Sequence, residues 1–255
     1  MSIFKTKREK ITKDGEEISI VPKKNFDSFS ENILGLGQIS DKSTQVDALS
    51  VMFDLEGFTK FCKQIDPQLA VPEFLSKFLK WIFQQIKLEL IEKEVEEGYQ
   101  LFASLPFMSK FMGDGLLFLW DTSQLDDGEI VDIVVSMHQI CMKYSSSFIK
   151  DINSNIVDAP QKLRCGIARG LIYSVGNGND FVGPCINVSA RLQKFNSLSF
   201  CFSRRGIDPV LMHESFKDTY IVKKVDIRGI GETELICVLK SEFETLSHED
   251  KRKFN

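Results

Sequence analysis

Val51-Met-Phe-Asp-Leu-Glu-Gly-Phe-Thr59 and Lys110-Phe-Met-Gly-Asp-Gly115 decide how this chain folds. In the first, the apolar residues Leu49, Val51 and Phe53 predict a strand that delivers Asp54 at its end, and Gly57 frees the backbone to turn into a helix at Thr59. In the second, the apolar runs Phe107 to Met112 and Leu116 to Trp120 are joined by Gly-Asp-Gly, a hairpin signal with Asp114 at its apex. Each stretch alone reads as an ordinary turn former. If the two strands are neighbours, Asp54 and Asp114 face one another, and oxygen ligands of this kind suit Mg²⁺ carried by a nucleoside triphosphate.

A third stretch adds to them. Asp180-Phe-Val-Gly-Pro-Cys-Ile-Asn-Val-Ser-Ala-Arg191 predicts a glycine turn and then a helix on which Asn187 and Arg191, four residues apart, share a face. In isolation that pair reads as a polar helix face. In this order the three stretches resemble the class III nucleotidyl cyclases, the adenylate and guanylate cyclase catalytic domains, from about Ala48 to Leu239. The resemblance implies a ferredoxin-like α/β (α+β) sandwich, with helices packed on a mixed, largely antiparallel sheet. A diguanylate cyclase shares the architecture but needs a Gly-Gly-Asp/Glu-Glu-Phe hairpin, which Met112-Gly-Asp-Gly is not.

The 255 residues, 43% of them hydrophobic, suit one large domain with extensions: an N-terminal extension over 1–46, a catalytic domain over 47–240 and a charged tail over 241–255. A net charge of −4 argues against a nucleic-acid partner, and no apolar run reaches the length of a membrane span. The N-terminus lacks an apolar signal core, so a cytoplasmic protein is expected. The six cysteines show no C-x-x-C spacing and read as reduced core residues. His138, His213 and His248 show no pairing and read as structural or surface residues.

The remaining elements follow from periodicity. A short helix is expected over 59–66, and a long amphipathic one from Leu69 to Glu97 with Phe74, Leu75, Phe78, Leu79, Ile82 and Phe83 inward. Another helix is expected over 127–150, and Leu163 to Ala168 and Leu171 to Val175 read as two strands paired around Gly170. Further strands are expected at 199–203, 220–227 and 234–239, a short helix near 209–215, and a solvated tail or short helix after Lys240.

The resemblance implies conversion of a nucleoside triphosphate to a 3′,5′-cyclic nucleotide and pyrophosphate, with two Mg²⁺ or Mn²⁺ per site held by Asp54, Asp114 and the Leu55 carbonyl. It implies that the turn of residues 56–59, including Gly57, Phe58 and Thr59, cradles the β- and γ-phosphates. Arg191 would carry charge to the α-phosphate, Asn187 would orient the ribose, and Arg228 would hold the terminal phosphates where the family has a basic residue. Family sites combine two subunits, so a head-to-tail homodimer is implied, its product read by a separate effector.

Lys110 and Asp180 match the positions that read the base in adenylate cyclases. A donor with an acceptor suits adenine, and cytosine presents the same edge. Phe111 and Phe181 stand beside them where smaller residues are usual, and a narrowed pocket penalises a purine. With no room for a sensor domain in 1–46, the chain looks like the short bacterial pyrimidine cyclases of antiviral defence, which make cyclic CMP or cyclic UMP. Were both rings in the core, an ordinary adenylate cyclase would remain. A catalytically silent nucleotide-binding module is the reading from another class, and loss of a metal Asp or the helix Arg would signal it; both are retained.

Overall fold

A computed structural model describes residues 8–13, 15–39, 42–96, 99–102, 104–195, 198–227 and 233–254. In chain order the first half comprises β1 (Glu9–Lys13), β2 (Glu16–Ile20), α1 (Lys23–Asp27), β3 (Gln45–Glu56), α2 (Phe58–Phe61), α3 (Pro67–Glu89), β4 (Ile91–Glu96), β5 (Tyr99–Phe102), β6 (Met108–Phe111), β7 (Gly115–Asp121) and α4 (Asp127–Lys143). A π-helical turn (Tyr144–Phe148) leads to α5 (Ile149–Asn153), β8 (Lys162–Val175), β9 (Asp180–Val182), α6 (Pro184–Leu192), β10 (Phe200–Ser203), α7 (Glu214–Lys217), β11 (Tyr220–Asp226), β12 (Thr233–Leu239), α8 (Lys240–Thr245) and α9 (His248–Lys251).

The chain divides into two compact units. The larger, Val46–Ile172 with Gly183–Asn255, holds a sheet in the order β11-β12-β10-β8-β3-β7-β6. β10 runs parallel to β8 and antiparallel to β12, while β7 is antiparallel to both β3 and β6, so the sheet is mixed and largely antiparallel. Strand alternation then sorts every side chain to one of two faces. Leu49, Val51, Phe53 and Leu55 of β3, with Leu163, Cys165 and Ile167 of β8, join the core built by α3 and α4. Ser50, Met52 and Asp54, with Arg164, Gly166 and Ala168, take the other face.

On α3 the residues fully inward are Phe74, Phe78, Ile82 and Ile86, a stripe at four-residue spacing; Leu75 and Leu79 are half-buried, and Phe83 stays exposed while its ring meets Phe118 at 5.3 Å. α4 begins with a capping box, Asp126 accepting from the Glu129 N–H and Glu129 from the Asp126 N–H.

The smaller unit joins the segment up to Gln45 to Tyr173–Val182. Here β9 pairs antiparallel with the last residues of β8, and the turn between them uses left-handed Gly176 (φ 61°) and Gly178 (φ 77°). The Ser43 hydroxyl donates to the Ser174 carbonyl, and the Asn177 N–H to the Leu36 carbonyl, so part of the N-terminal segment is tied to this turn. Residues 173–182 thus group with that segment.

Several expectations are corrected. The long helix ends at Glu89, and Ile91-Glu-Lys-Glu-Val-Glu96, with apolar residues set among charged ones, pairs with β5 instead of extending α3. The two strands expected around Gly170 are one strand, because Gly170 keeps no left-handed φ and the chain never turns there. The tail forms the short helices α8 and α9, one of the two forms expected of it, and its otherwise largely exposed length is anchored by buried Leu246 and Phe254, whose ring meets Phe195 and Phe243. Arg228 and the loop around it lie outside the described residues. Among the described residues, no helix is long and apolar enough to cross a membrane.

The cysteines are free, with the thiols of Cys185 and Cys237 pushed by burial to about 11 and about 12. His138 on α4 is buried against Tyr220, Nδ1 lying 2.7 Å from the phenol oxygen, and burial lowers its pKa from 6.5 to about 4. The unfolded chain therefore takes up this proton first as pH falls. Stability is whole above the unfolded value and drains away toward the folded one, by on the order of 3 kcal/mol at about 1.4 kcal/mol per unit. In thermal melts across that window, His138→Gln should flatten the acid-side fall in Tm; an unchanged slope would contradict this assignment.

Candidate active site

β3 and β7 pair with Asp54 directly opposite Gly115, and the Leu55 N–H donates to the Asp114 carbonyl at 2.9 Å. The two aspartate turns are therefore successive rungs of one ladder. Gly115 has no alternative here, because a Cβ would overlap the Phe53 carbonyl oxygen. Gly113 adopts φ 89° and the Met112 N–H donates to the Gly115 carbonyl, closing the hairpin with Asp114 at its tip. Beyond Asp54, Gly57 at φ 85° swings the chain into α2, whose Phe58 is buried while Thr59 is exposed.

Asp54 is only 1% exposed, so its carboxylate needs partners. Arg164 of β8, on the same face of the sheet, donates to Oδ2 through Nε (3.0 Å) and Nη2 (2.5 Å). Lys194, just past α6, brings Nζ to 3.2 Å from Oδ1. The distance makes an ion pair, but the alignment makes no hydrogen bond, so Oδ1 stays a buried oxygen without one and the contact is Coulombic. Glu56 lies 4.0 Å from Arg164. Asp114 is half-buried beside this cluster.

A cleft of about 730 Å³ opens next to the turn, lined in part by Glu56, Gly57, Lys60, Lys63, Gln161 and Lys162. Its lysines suit polyanionic cargo. Among the described residues no group of three or more His, Cys, Asp or Glu could hold a metal ion. Two carboxylates with one buried oxygen lacking a hydrogen bond fit a hard divalent cation whose other ligands come from a phosphate chain and water.

Register fixes the faces of the base-reading candidates. Lys110 pairs with Leu117, which pairs with Met52, so Lys110 shares the sheet face of Asp54. Phe111 pairs with Leu116 and so with Phe53, which puts it on the opposite face, the one that α3 and α4 cover, where it remains 46% exposed at the sheet edge. Asp180 and Phe181 are consecutive on β9 of the smaller unit, hence on opposite faces of that strand, and Asp180 accepts from the Phe181 N–H at 2.9 Å. Asn187 and Arg191 are both exposed on one side of α6. Pro184 at the first position starts that helix, and Cys185, Val188, Ser189 and Leu192 bury its other side.

Sequence reasoning missed Arg164 and Lys194. Both lie far along the chain from Asp54, and neither falls in a glycine-hinged motif. The one available signal was Arg164 itself, a charged residue in the otherwise apolar run Leu163-Arg-Cys-Gly-Ile167.

No family model matches the sequence, and no curated protein matches it. Solved structures do share its fold. The adenylyl cyclase CyaB from P. aeruginosa superposes with a TM-score of 0.59 at 14% identity, over 82% of this chain and 99% of that one. The guanylyl cyclase Cya2 gives 0.57 at 15%, over 78% and 94%. The catalytic core of a rhodopsin-guanylyl cyclase with converted specificity, in complex with ATPalphaS, gives 0.51 at 14%, over 77% and 98%. The fold is that of these cyclase structures.

Removing one partner of a buried ion pair strands the other. Arg164→Met should cost about 3 kcal/mol in urea denaturation, with part regained in the Asp54→Asn/Arg164→Met double variant. A loss under about 1 kcal/mol, the scale of an exposed pair, would show that Asp54 does not depend on Arg164.

Proposed function

We propose that this chain is a nucleotidyl cyclase that converts a nucleoside triphosphate to a 3′,5′-cyclic nucleotide and pyrophosphate. The observation that carries the proposal is the ladder that makes Asp54 and Asp114 neighbours on glycine-hinged turns. The cyclase folds above support it.

In the reaction the ribose 3′-hydroxyl loses its proton, its oxygen bonds to the α-phosphorus, and the bond from that phosphorus to the bridging oxygen of pyrophosphate breaks. Asp54, Asp114 and the Leu55 carbonyl would hold Mg²⁺ or Mn²⁺, which when bound supplies neutralising charge and acidifies the hydroxyl. The 56–59 turn and the lysine-lined cleft receive the β- and γ-phosphates. Arg164, already on the Asp54 carboxylate, is a fixed guanidinium within the same cluster. Arg191 meets the charge that grows on the α-phosphate, Asn187 positions the ribose, and Arg228 takes the terminal phosphates. Asn187 and Arg191 stand exposed on α6, as residues serving a second copy's site would, and we propose a head-to-tail homodimer on that basis.

Lys110 as donor and Asp180 as acceptor select a base with a ring-nitrogen acceptor and an exocyclic amine, which cytosine and adenine share. We carry CTP forward as the substrate, with UTP poorer because its edge reverses both groups; the resemblance supports a pyrimidine. One observation favours ATP as the second reading: the register sets Phe111 on the face away from Lys110, so its ring does not narrow a pocket there. The biological role proposed with cyclic CMP is a messenger for a separate effector in bacterial antiviral defence.

Incubating the protein with each of the four triphosphates and Mn²⁺ or Mg²⁺, then resolving products by mass spectrometry, tests this. Cyclic CMP with pyrophosphate is expected to dominate and cyclic AMP to be minor; no cyclic product from any triphosphate would end the cyclase reading. Asp54→Ala and Asp114→Ala should each lower turnover by at least about a hundredfold while the far-ultraviolet spectrum is kept. Near-normal rates in either variant would remove that residue from the site.

A further inference from the structure

The chemistry above gives no task to Lys194, yet the fold places its ammonium on the central carboxylate. Three contacts hold the end of α6 where this happens. The Ser189 hydroxyl meets Ser50 of β3 at 2.7 Å, a buried contact four residues before Asp54. The Cys201 thiol donates to the Leu192 carbonyl at 3.1 Å. Gly166 of β8 lets the Ser189 carbonyl and the Gln193 N–H approach so closely that any Cβ would collide with both. From that fixed end, Lys194 reaches Asp54 Oδ1.

The two cations on Asp54 differ in kind. Arg164 is 17% exposed and binds Oδ2 with two aligned donors, whereas the Lys194 side chain is 52% exposed and touches Oδ1 without hydrogen-bond alignment. An ammonium on a flexible stem returns to water far more readily than a half-buried, doubly bonded guanidinium. Oδ1 is also the oxygen that a divalent cation would use, and two positive charges cannot share it at contact distance.

We propose that Lys194 is the displaceable counter-ion of Asp54: it neutralises the carboxylate before a metal arrives, competes with a metal that comes alone, and transfers to the phosphate chain of a metal that comes with one. This deepens the cyclase reading and rests on it, because it takes Asp54 as a metal ligand. In consequence Lys194 weakens binding of the bare cation and strengthens binding of the metal–polyphosphate pair. The protein is thereby biased toward loading both together.

The opposite signs of those two effects make the test. Mn²⁺ alone is titrated against the full chain by electron paramagnetic resonance, and preformed Mn²⁺–tripolyphosphate by calorimetry, so that no base is involved. Lys194→Met is expected to bind Mn²⁺ alone about tenfold more tightly and Mn²⁺–tripolyphosphate about tenfold more weakly, a coupling of ordinary size, while Lys194→Arg stays closer to wild type in both. Lys194→Gln replaces the Met variant if that one melts early. Unchanged Mn²⁺ affinity on loss of Lys194, with Asp54→Asn abolishing binding, would overturn the counter-ion and leave the cyclase site standing. Unchanged Mn²⁺ affinity in Asp54→Asn would overturn the metal assignment and the counter-ion with it.

Discussion

A carboxylate that is 99% buried at the end of a central strand constrains everything around it. Asp54 can occupy that place only because Arg164 arrives from β8 and Lys194 from the end of α6, each on the face of the sheet that the hydrophobic core leaves to polar groups. The desolvation cost of one charge is met by two others. The β3–β7 register then supplies a second carboxylate, Asp114, without moving the first. Stability and the proposed chemistry depend on the same ion cluster.

The chain's own motifs made part of this legible. Apolar runs broken by Glu-Gly-Phe-Thr and Gly-Asp-Gly report strand ends and a hairpin from local backbone chemistry, and the structure keeps both. Asn187 and Arg191 share a face because helical spacing requires it. Arg164 and Lys194 stayed hidden because a pairing across 110 residues leaves no local periodicity to read. The boundary at Glu89 was missed for a related reason: charged residues set among apolar ones suit an exposed helix turn as well as a strand, and pairing with Tyr99–Phe102 decided the outcome. Gly170 read as a turn because glycine often marks one, but here the strand simply continues.

The residues assigned to the base illustrate the value of register. Adjacent positions in sequence, Lys110 and Phe111, belong to opposite faces of the sheet, which the order of letters cannot convey unless the strand is known to be flat and paired. The donor therefore stands on the Asp54 side and the ring on the helix side. Asp180 and Phe181 belong to the smaller unit, with the turn that holds the N-terminal segment. Whatever that segment does, it is tied to the loop that carries one proposed base reader.

The central claim is that a working site draws Asp54 and Asp114 from one copy of the chain and Arg191 from another. Mixing Asp54→Ala protein with Arg191→Ala protein, after subunit exchange is verified by a mass-tagged partner, measures this directly. Two inactive preparations should together recover on the order of a quarter of the wild-type rate, because half the dimers are mixed and each of those keeps one of its two sites intact. A mixture with verified exchange and no more activity than its parts would contradict a site shared between copies.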